Sequence, residues 1–157
     1  MSKIATCLWF NGEAEEAATL YTSLFPNSHI DSVNLAPADN PSSARGDVLT
    51  VDFTLDGERF VGLNGGPDFT FNEAVSFQIF CRDQAEVDHY WEKLGEGGEH
   101  GPCGWLKDRF GLSWQVVPTR LMELLGDSDR EKSQRVMAAM LQMGKIEIDE
   151  LEQAAAA

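Results

Sequence analysis

The residues most suggestive of reactive chemistry are His100 and Cys103, three positions apart in a loop rich in glycine and proline. An imidazole beside a thiol can act as a base and a nucleophile, and the same pair can supply half of a zinc site. No second pair of suitable spacing accompanies them, so a structural zinc is not expected. The alternative interpretation is a loop histidine next to a small apolar cysteine, because nothing in the sequence activates the thiol.

Candidate pocket residues follow directly along the chain. Trp105 offers the flat apolar surface that a small ligand stacks against. Lys107 and Asp108 are candidates for orienting such a ligand, and the alternative is an exposed ion pair at a turn. Trp114 and Gln115 are adjacent in a predicted strand, so they face opposite sides. If Gln115 faces a cleft, Trp114 faces the core.

An internal repeat predicts the elements that position these residues. Residues 4–25 and 74–95 match at an offset of 70, and each stretch begins with a short apolar run and continues into a helical pattern. The apolar matches fall at i, i+3, i+4 and i+7, which is one face of a helix. At this offset Thr6 is equivalent to Ser76.

Each predicted helix is followed by segments that favour strands. Asp56-Gly57 is a two-residue hairpin signal, and residues 108–111 predict a second turn. The second half has fewer residues before its last hairpin, so one of its strands should be short. The predicted strands after the helices are 28–36, 47–55, 58–63, 104–107 and 112–117.

The predicted fold is therefore α+β, with strand-helix-strand-strand-strand occurring twice within a single domain spanning 1–157. The modules cover 3–63 and 74–118, the linker is 64–73, and residues 119–157 form a C-terminal helical extension. Two such sheets placed side by side would enclose a cleft.

Signals for helix ends and an apolar stripe divide the C-terminal extension. Thr119–Leu125 should end at Gly126. A capping box beginning at Ser128 and an Asp149 cap predict two further helices. The apolar stripe that follows the Ser128 capping box should pack on the domain or on a second subunit. Its members are Val136, Met140 and Met143.

Charge, cysteine content and hydrophobicity limit the partners and the cellular location that we expect for the protein. The 157 residues carry a formal net charge of −14, which disfavours nucleic acid and anionic membranes. Three widely spaced cysteines indicate no disulfide framework. The first ten residues are too short and weakly flanked for a signal peptide, and no apolar run reaches the roughly 20 residues of a bilayer span. These features favour a cytoplasmic protein.

Four segments resemble the PhnB-like family. They are 7–17 (CLWFNGEAEEA), 60–67 (FVGLNGGP), 103–118 (CGWLKDRFGLSWQVVP) and 135–148 (RVMAAMLQMGKIEI). The resemblance implies membership of the vicinal oxygen chelate superfamily, with glyoxalase I, extradiol dioxygenases and bleomycin resistance proteins. It also implies paired βαβββ modules and a homodimer.

The resemblance implies that metal-dependent relatives carry four His, Glu or Gln ligands. Two lie on the first strands of the two modules and two on the last strands. The repeat maps these positions to Thr6, Ser76, Val61 and Gln115, with Asn64 within reach of a small shift. Valine cannot coordinate, hydroxyls are weak ligands unless deprotonated, Asn64 would still be neutral, and none of the four positions supplies a carboxylate or a histidine. We therefore expect no bound metal and no cofactor.

The family also carries the label 3-demethylubiquinone-9 3-methyltransferase. Methyl transfer from S-adenosylmethionine usually relies on a glycine-rich turn between a strand and a helix. The glycines of 95–104 follow a predicted helix, and Gly65-Gly66 leads into a loop, so neither fits that context.

Three functions remain as hypotheses. The first is a protein that binds a small organic molecule in a metal-free cleft. The second is a metal-independent enzyme using Cys103, His100 or Asp108, and the third, disfavoured, is the methyltransferase. For the first, the expected contacts with the ligand come from Thr6, Asn64, Ser76, Trp105 and Gln115.

Overall fold

The computed structural model describes residues 2–157 and divides the chain into two compact units. The first unit ends at Phe71, and the second runs from Asn72 to Ala157. Each unit contains a four-stranded sheet with one helix packed on it. The fold class predicted from the sequence, α+β with paired βαβββ modules and C-terminal helices, is confirmed.

The first unit forms a mixed sheet with the strand order β1-β4-β3-β2. The central pair β1 and β4 is parallel, and the other pairs are antiparallel. The elements are β1 (Thr6–Phe10), α1 (Ala14–Leu24), β2 (His29–Leu35), β3 (Val48–Leu55) and β4 (Glu58–Asn64).

The second unit repeats this topology with the order β5-β8-β7-β6, in which β5 and β8 are parallel. Strand β6 has only two residues, as the short connection predicted. The elements are β5 (Ser76–Cys81), α2 (Gln84–Gly95), β6 (Glu99–His100), β7 (Trp105–Lys107) and β8 (Ser113–Pro118). Three helices follow: α3 (Thr119–Leu125), α4 (Arg130–Met140) and α5 (Ile148–Ala156).

Helical spacing explains how each unit builds its core. The buried residues of α1 recur at i, i+3, i+4 and i+7, the pattern of one apolar face. They are Ala14, Ala17, Ala18 and Tyr21. In α2 the same spacing buries Val87, Tyr90, Trp91 and Leu94. The opposite face of each sheet is called here the helix-distal face.

Two helix starts show how the chain satisfies free backbone N–H groups. The Asp83 side chain caps α2 by accepting a hydrogen bond from the backbone N–H of Glu86. At α4 the predicted cap was wrong by one residue. Asp129, not Ser128, accepts from the backbone N–H of Lys132.

The C-terminal helices pack on one another around a small core of their own. Its buried members include Val136 and Met143, so the predicted stripe packs within this unit. The proposed Asp149 cap was wrong, because Asp149 lies in the first turn of α5. The backbone N–H of Ile148 donates instead to the side-chain oxygen of Gln84 in α2 at 2.8 Å. Within residues 2–157, no helix combines the length and apolar character of a bilayer span.

Candidate functional site

The helix-distal face of the second sheet carries a row of linked polar side chains. Register pairs Gln78 of β5 with Gln115 of β8, and Ser76 with Ser113, so all four point to this face. The Gln115 side-chain nitrogen donates to the Ser76 hydroxyl at 2.8 Å. The Gln78 nitrogen contacts the Gln115 oxygen at 3.4 Å. Ser76 and Gln115, both predicted from the sequence, are therefore direct neighbours.

A cavity of about 400 Å³ lies beside this row. A volume of this size falls within the range of sites that bind small organic molecules. Its walls combine an indole ring, apolar surface and a few charged groups. The lining residues are Glu73, Glu99, His100, Gly101, Pro102, Trp105, Leu106, Lys107 and Ser113.

The aromatic wall comes from His100 and Trp105. His100 is the last residue of β6, and Trp105 is the first residue of β7. Trp105 pairs with Gln115 across the sheet, so its side chain shares the helix-distal face. His100 stacks on Trp91 of α2 with ring centroids 4.4 Å apart. Its Nε2 atom lies 2.8 Å from the Trp91 carbonyl oxygen. Gly95 makes room for this ring, since a Cβ there would lie 2.1 Å from it.

The charged wall contains one ammonium group and two carboxylates. Lys107 forms an ion pair with Glu73, and Glu99 is its register partner on β6. The hydrogen bond and the charge of Glu73 raise the pKa of Lys107, and the Glu99 charge adds to that effect. The pKa of Glu73 is lowered by the same contact. Lys107 therefore stays protonated and paired with Glu73.

Ser113 contributes a buried polar atom with no protein partner. Its side chain is fully buried, and its hydroxyl is the one buried side-chain polar atom in residues 2–157 without a hydrogen bond. An unsatisfied buried hydroxyl costs about 1–3 kcal/mol. Because Ser113 lines the cavity, a bound molecule can supply the missing partner once a small side-chain movement uncovers the hydroxyl.

The reactive pair suggested by the sequence does not assemble. The backbone N–H of Cys103 donates to the Met143 carbonyl, and its sulfur lies 3.6 Å from the Met140 carbonyl oxygen. Cys103 is thus held by the last residue of α4 and by the segment that follows it. His100 makes its contacts with Trp91 of α2, and these separate bonds give no base beside the thiol.

Asp108 is a structural residue of the loop between β7 and β8, contrary to its candidacy as an acid or a ligand contact. One carboxylate oxygen accepts from the backbone N–H groups of Phe110 and Leu112, and the other accepts from the indole N–H of Trp114 at 2.9 Å. The Asp108 side chain is almost fully buried, as is Trp114, which confirms Trp114 as a core residue. A carboxylate with three donors has little capacity left for a ligand.

Asn64 also has a structural role, in the first unit. Its side-chain oxygen accepts from the backbone N–H of Ala14, at the start of α1, and its nitrogen donates to the Val48 carbonyl, both at 2.9 Å. It lines a separate polar cavity of about 360 Å³ together with Ser42 and Asp47.

Thr6 lies on the helix side of its sheet, whereas its predicted equivalent Ser76 lies on the helix-distal face of the other sheet. Leu8 and Phe10 are buried on the helix side of β1, and Thr6 shares their parity. The cause is one extra residue in the first module. Three residues (11–13) separate β1 from α1, whereas two separate β5 from α2. Gly12, with a φ of 87°, lies in the longer connection.

This extra residue changes the equivalence of the first strands. The burial patterns align Phe10 with Cys81, an offset of 71, and so align Cys7 with Gln78. Register then pairs Cys7 with Val61, as it pairs Gln78 with Gln115. The predicted equivalence of Val61 and Gln115 is consistent with this alignment.

With this alignment, the four positions equivalent to the metal ligands of relatives are Gln78, Gln115, Cys7 and Val61. They hold two amides, a thiol and a valine. Burial raises the pKa of the Cys7 thiol, which disfavours the thiolate that a metal binds. No group of three or more His, Cys, Asp or Glu side chains in residues 2–157 is arranged to hold a metal ion. The donor set therefore does not fit the divalent site of metal-dependent relatives.

Sequence reasoning did not single out Glu73, Glu99, Gln78 or Ser113. Strand parity could have found two of them, because Gln78 lies two residues after Ser76 and Ser113 two residues before Gln115. No local pattern marks the two carboxylates. They reach the cavity from the linker and from a two-residue strand.

The glycine clusters lie outside the context that S-adenosylmethionine binding requires. Gly95 ends α2, and the glycines that follow lead to β6 and β7. Gly65 and Gly66 follow β4, and no helix lies between them and β5. Neither cluster opens a helix after a strand, as such a site needs.

Comparison with known proteins supports the family assignment. The family model described as 3-demethylubiquinone-9 3-methyltransferase matches residues 2–117. The match ends before α3, so it does not include the segment 135–148. No match was found among curated proteins.

One solved structure gives the same family, and a second shares the fold. A Bacillus cereus protein described as a putative 3-demethylubiquinone-9 3-methyltransferase, PhnB protein, is 35% identical, with 74% of this chain and 99% of that chain covered and a TM-score of 0.66. Protein PA1353 from Pseudomonas aeruginosa is 20% identical, with coverages of 75% and 98% and a TM-score of 0.60.

The fold extends to a more distant protein. The fosfomycin resistance protein FosX from Mesorhizobium loti is 14% identical, with coverages of 74% and 92% and a TM-score of 0.51. The family-model match and the Bacillus cereus relative, together with the repeated βαβββ topology, show that the chain belongs to the PhnB-like, 3-demethylubiquinone-9 3-methyltransferase family.

Proposed function

We propose that the chain binds a small organic molecule in the cavity of the second unit, without a resident metal. The observation that carries this proposal is the buried, unpaired hydroxyl of Ser113 in the wall of a cavity of about 400 Å³. Trp105 supplies a stacking surface, and the row formed by Ser76, Gln78 and Gln115 supplies neutral hydrogen-bonding groups beside it.

The test is a two-dimensional ¹H–¹⁵N NMR titration of labelled protein, dialysed against EDTA, with the neutral probe 1-naphthylmethanol. We expect saturable shifts of the Trp105 indole N–H and of the backbone amides of Gly101 and Ser113. The amides of α1 in the first unit serve as an internal reference and should not move. The Trp105→Ala variant should lose the response. An absence of saturable shifts at these positions in the wild type would overturn the proposal.

Methyl transfer is not part of this proposal, because neither glycine cluster lies at a strand-to-helix turn. A calorimetric titration with S-adenosylmethionine should therefore give no binding heat. Saturable binding in that experiment would restore the activity that the family name describes.

We also propose that the chain forms a homodimer in the cytoplasm. Strand β5 is an edge strand of its sheet, and its Phe80 side chain is 54% exposed. The three cysteines are free, which fits a reducing compartment. Sedimentation at micromolar concentration should give twice the chain mass, and Phe80→Lys should shift the equilibrium toward the monomer. A monomeric wild type would contradict the dimer.

A further inference from the structure

The charges around the cavity point to the class of molecule it takes. Counting histidine as neutral, its lining contains the two carboxylates of Glu73 and Glu99 and the single ammonium group of Lys107. The local formal charge is therefore negative. The whole chain has the same sign, with a net charge of −14. A negatively lined cavity on a negatively charged protein raises the local concentration of cations.

The two carboxylates differ in how they are engaged. Glu73 forms an ion pair with Lys107. The ammonium group of Lys107, the one cation in the lining of the cavity, is therefore already paired. Glu99 is exposed, and its carboxylate takes part in no hydrogen bond or ion pair found in the described part of the chain. An incoming anion would have to compete with Glu73 for Lys107. An incoming cation would find a Glu99 carboxylate that holds no hydrogen bond or ion pair of its own and whose charge acts on Lys107 only at longer range.

The aromatic wall also favours a positive group. The face of an indole ring attracts an ammonium group through its negative quadrupole. Trp105 shares the helix-distal face with Lys107 and Gln115, and both Trp105 and Glu99 line the cavity. Ser113, at the cavity's buried side, offers a hydroxyl that can accept from or donate to the same ligand.

We propose that the cavity selects flat organic molecules that bear a protonated amine, with the amine directed to Glu99 and the apolar body placed on Trp105. This inference rests on the proposed binding function and adds the charge of the ligand to it. A neutral molecule of the same shape should still bind, but more weakly.

The experiment compares three probes that share one ring system: 1-naphthylmethylamine, 1-naphthylmethanol and 1-naphthoate. Their affinities are measured near neutral pH by NMR titration of the labelled full chain. We expect the amine to bind about threefold to tenfold more tightly than the alcohol, and the carboxylate more weakly than either. Raising the salt from about 20 mM to about 500 mM should reduce the preference for the amine.

Glu99→Gln is the decisive variant, because it removes the free carboxylate and keeps its shape. It should bring the affinity of the amine down to that of the alcohol and leave the alcohol unchanged. Glu15→Gln is the matched control. It makes the same change in net charge at an exposed site of α1, and should preserve the preference.

The outcomes separate the two proposals. Equal affinities of amine and alcohol, or a preference that survives Glu99→Gln, would overturn the charge selection and leave the binding function standing. If none of the three probes shifts the Trp105 and Ser113 signals, both proposals fail. Tighter binding of the carboxylate would also contradict the selection for cations and would point to Lys107.

Discussion

Ser113 combines a cost in stability with the role in binding that we propose for it. Its unpaired hydroxyl is buried in the cavity wall, so Ser113→Ala should leave the free energy of unfolding unchanged or raise it by up to about 1 kcal/mol. The same change should weaken binding of 1-naphthylmethanol by about twofold to tenfold, because one hydrogen bond is lost. Urea unfolding and NMR titration measure the two effects.

Ser128→Ala, at an exposed serine outside the cavity, is the control for that substitution and should alter neither quantity. A Ser113→Ala protein with markedly lower stability would show that the hydroxyl has a structural partner. Unchanged affinity would remove Ser113 from the binding site.

Asp108 illustrates the opposite case, a polar residue in a family motif that serves the fold. In Asp108→Asn the side chain keeps one oxygen acceptor for the loop N–H groups, but its amide nitrogen would face the Trp114 indole N–H. Two donors cannot satisfy each other, so we expect a loss of about 2 kcal/mol in the free energy of unfolding.

Urea unfolding of Asp108→Asn checks this expectation, with Asp68→Asn as a control at an exposed aspartate of the first unit. Wild-type stability combined with a loss of ligand affinity would instead identify Asp108 as a residue of the binding site.

At the scale of elements, Asp88 connects α2 to the segment that leads into α5. Its carboxylate accepts from Lys145 at 2.9 Å and from Gln84 at 3.1 Å. The hydrogen bond from Lys145, followed by that from Gln84, lowers the pKa of Asp88 below its ordinary value of 3.8. A carboxyl group with a lowered folded pKa stabilises the folded state above the ordinary value.

The contribution of Asp88 should therefore be present at neutral pH and disappear as the pH falls below 3.8 and through the lowered pKa. Because the pair is partly exposed, we expect Asp88→Asn to cost about 1 kcal/mol or less at neutral pH. Urea midpoints of the wild type and the variant should converge in acid. A difference that persists or grows at low pH would contradict this linkage.

The regular elements were predictable because periodicity reports burial directly. The apolar spacing of α1 and α2 and the Asp56-Gly57 signal predicted the helices and the first hairpin. The offset of 70 is correct for the helices but wrong for the first strands. One residue inserted before α1 reverses which side chains of β1 face the helix. A single offset, chosen from matches in the strand and the helix together, cannot show that reversal.

Cap positions were less predictable for a related reason. Ser128 and Asp129 are both good cap residues, so the local sequence alone cannot choose between them. At α5 the first N–H is satisfied by Gln84, which is distant in sequence. Contacts between remote segments decided these ends.

At the scale of the whole molecule, the candidate site was only partly predictable. Trp105, Ser76 and Gln115 lie on strands whose alternation the sequence displays. Glu73 and Glu99 meet Lys107 only after the sheet of the second unit has formed. The absence of a ligand set was inferred partly from Thr6 and Ser76, and the corrected pair Cys7 and Gln78 leads to the same conclusion about donor chemistry.

The most direct test of the account is a calorimetric titration of the full chain with 1-naphthylmethanol, first after exhaustive dialysis against EDTA and then with added Mn²⁺ or Zn²⁺. The account predicts saturable binding at one site per chain, with a Kd that agrees within about twofold under all conditions. Binding that appears only with the metal, or no binding under any condition, would contradict a metal-free binding cavity in the second unit.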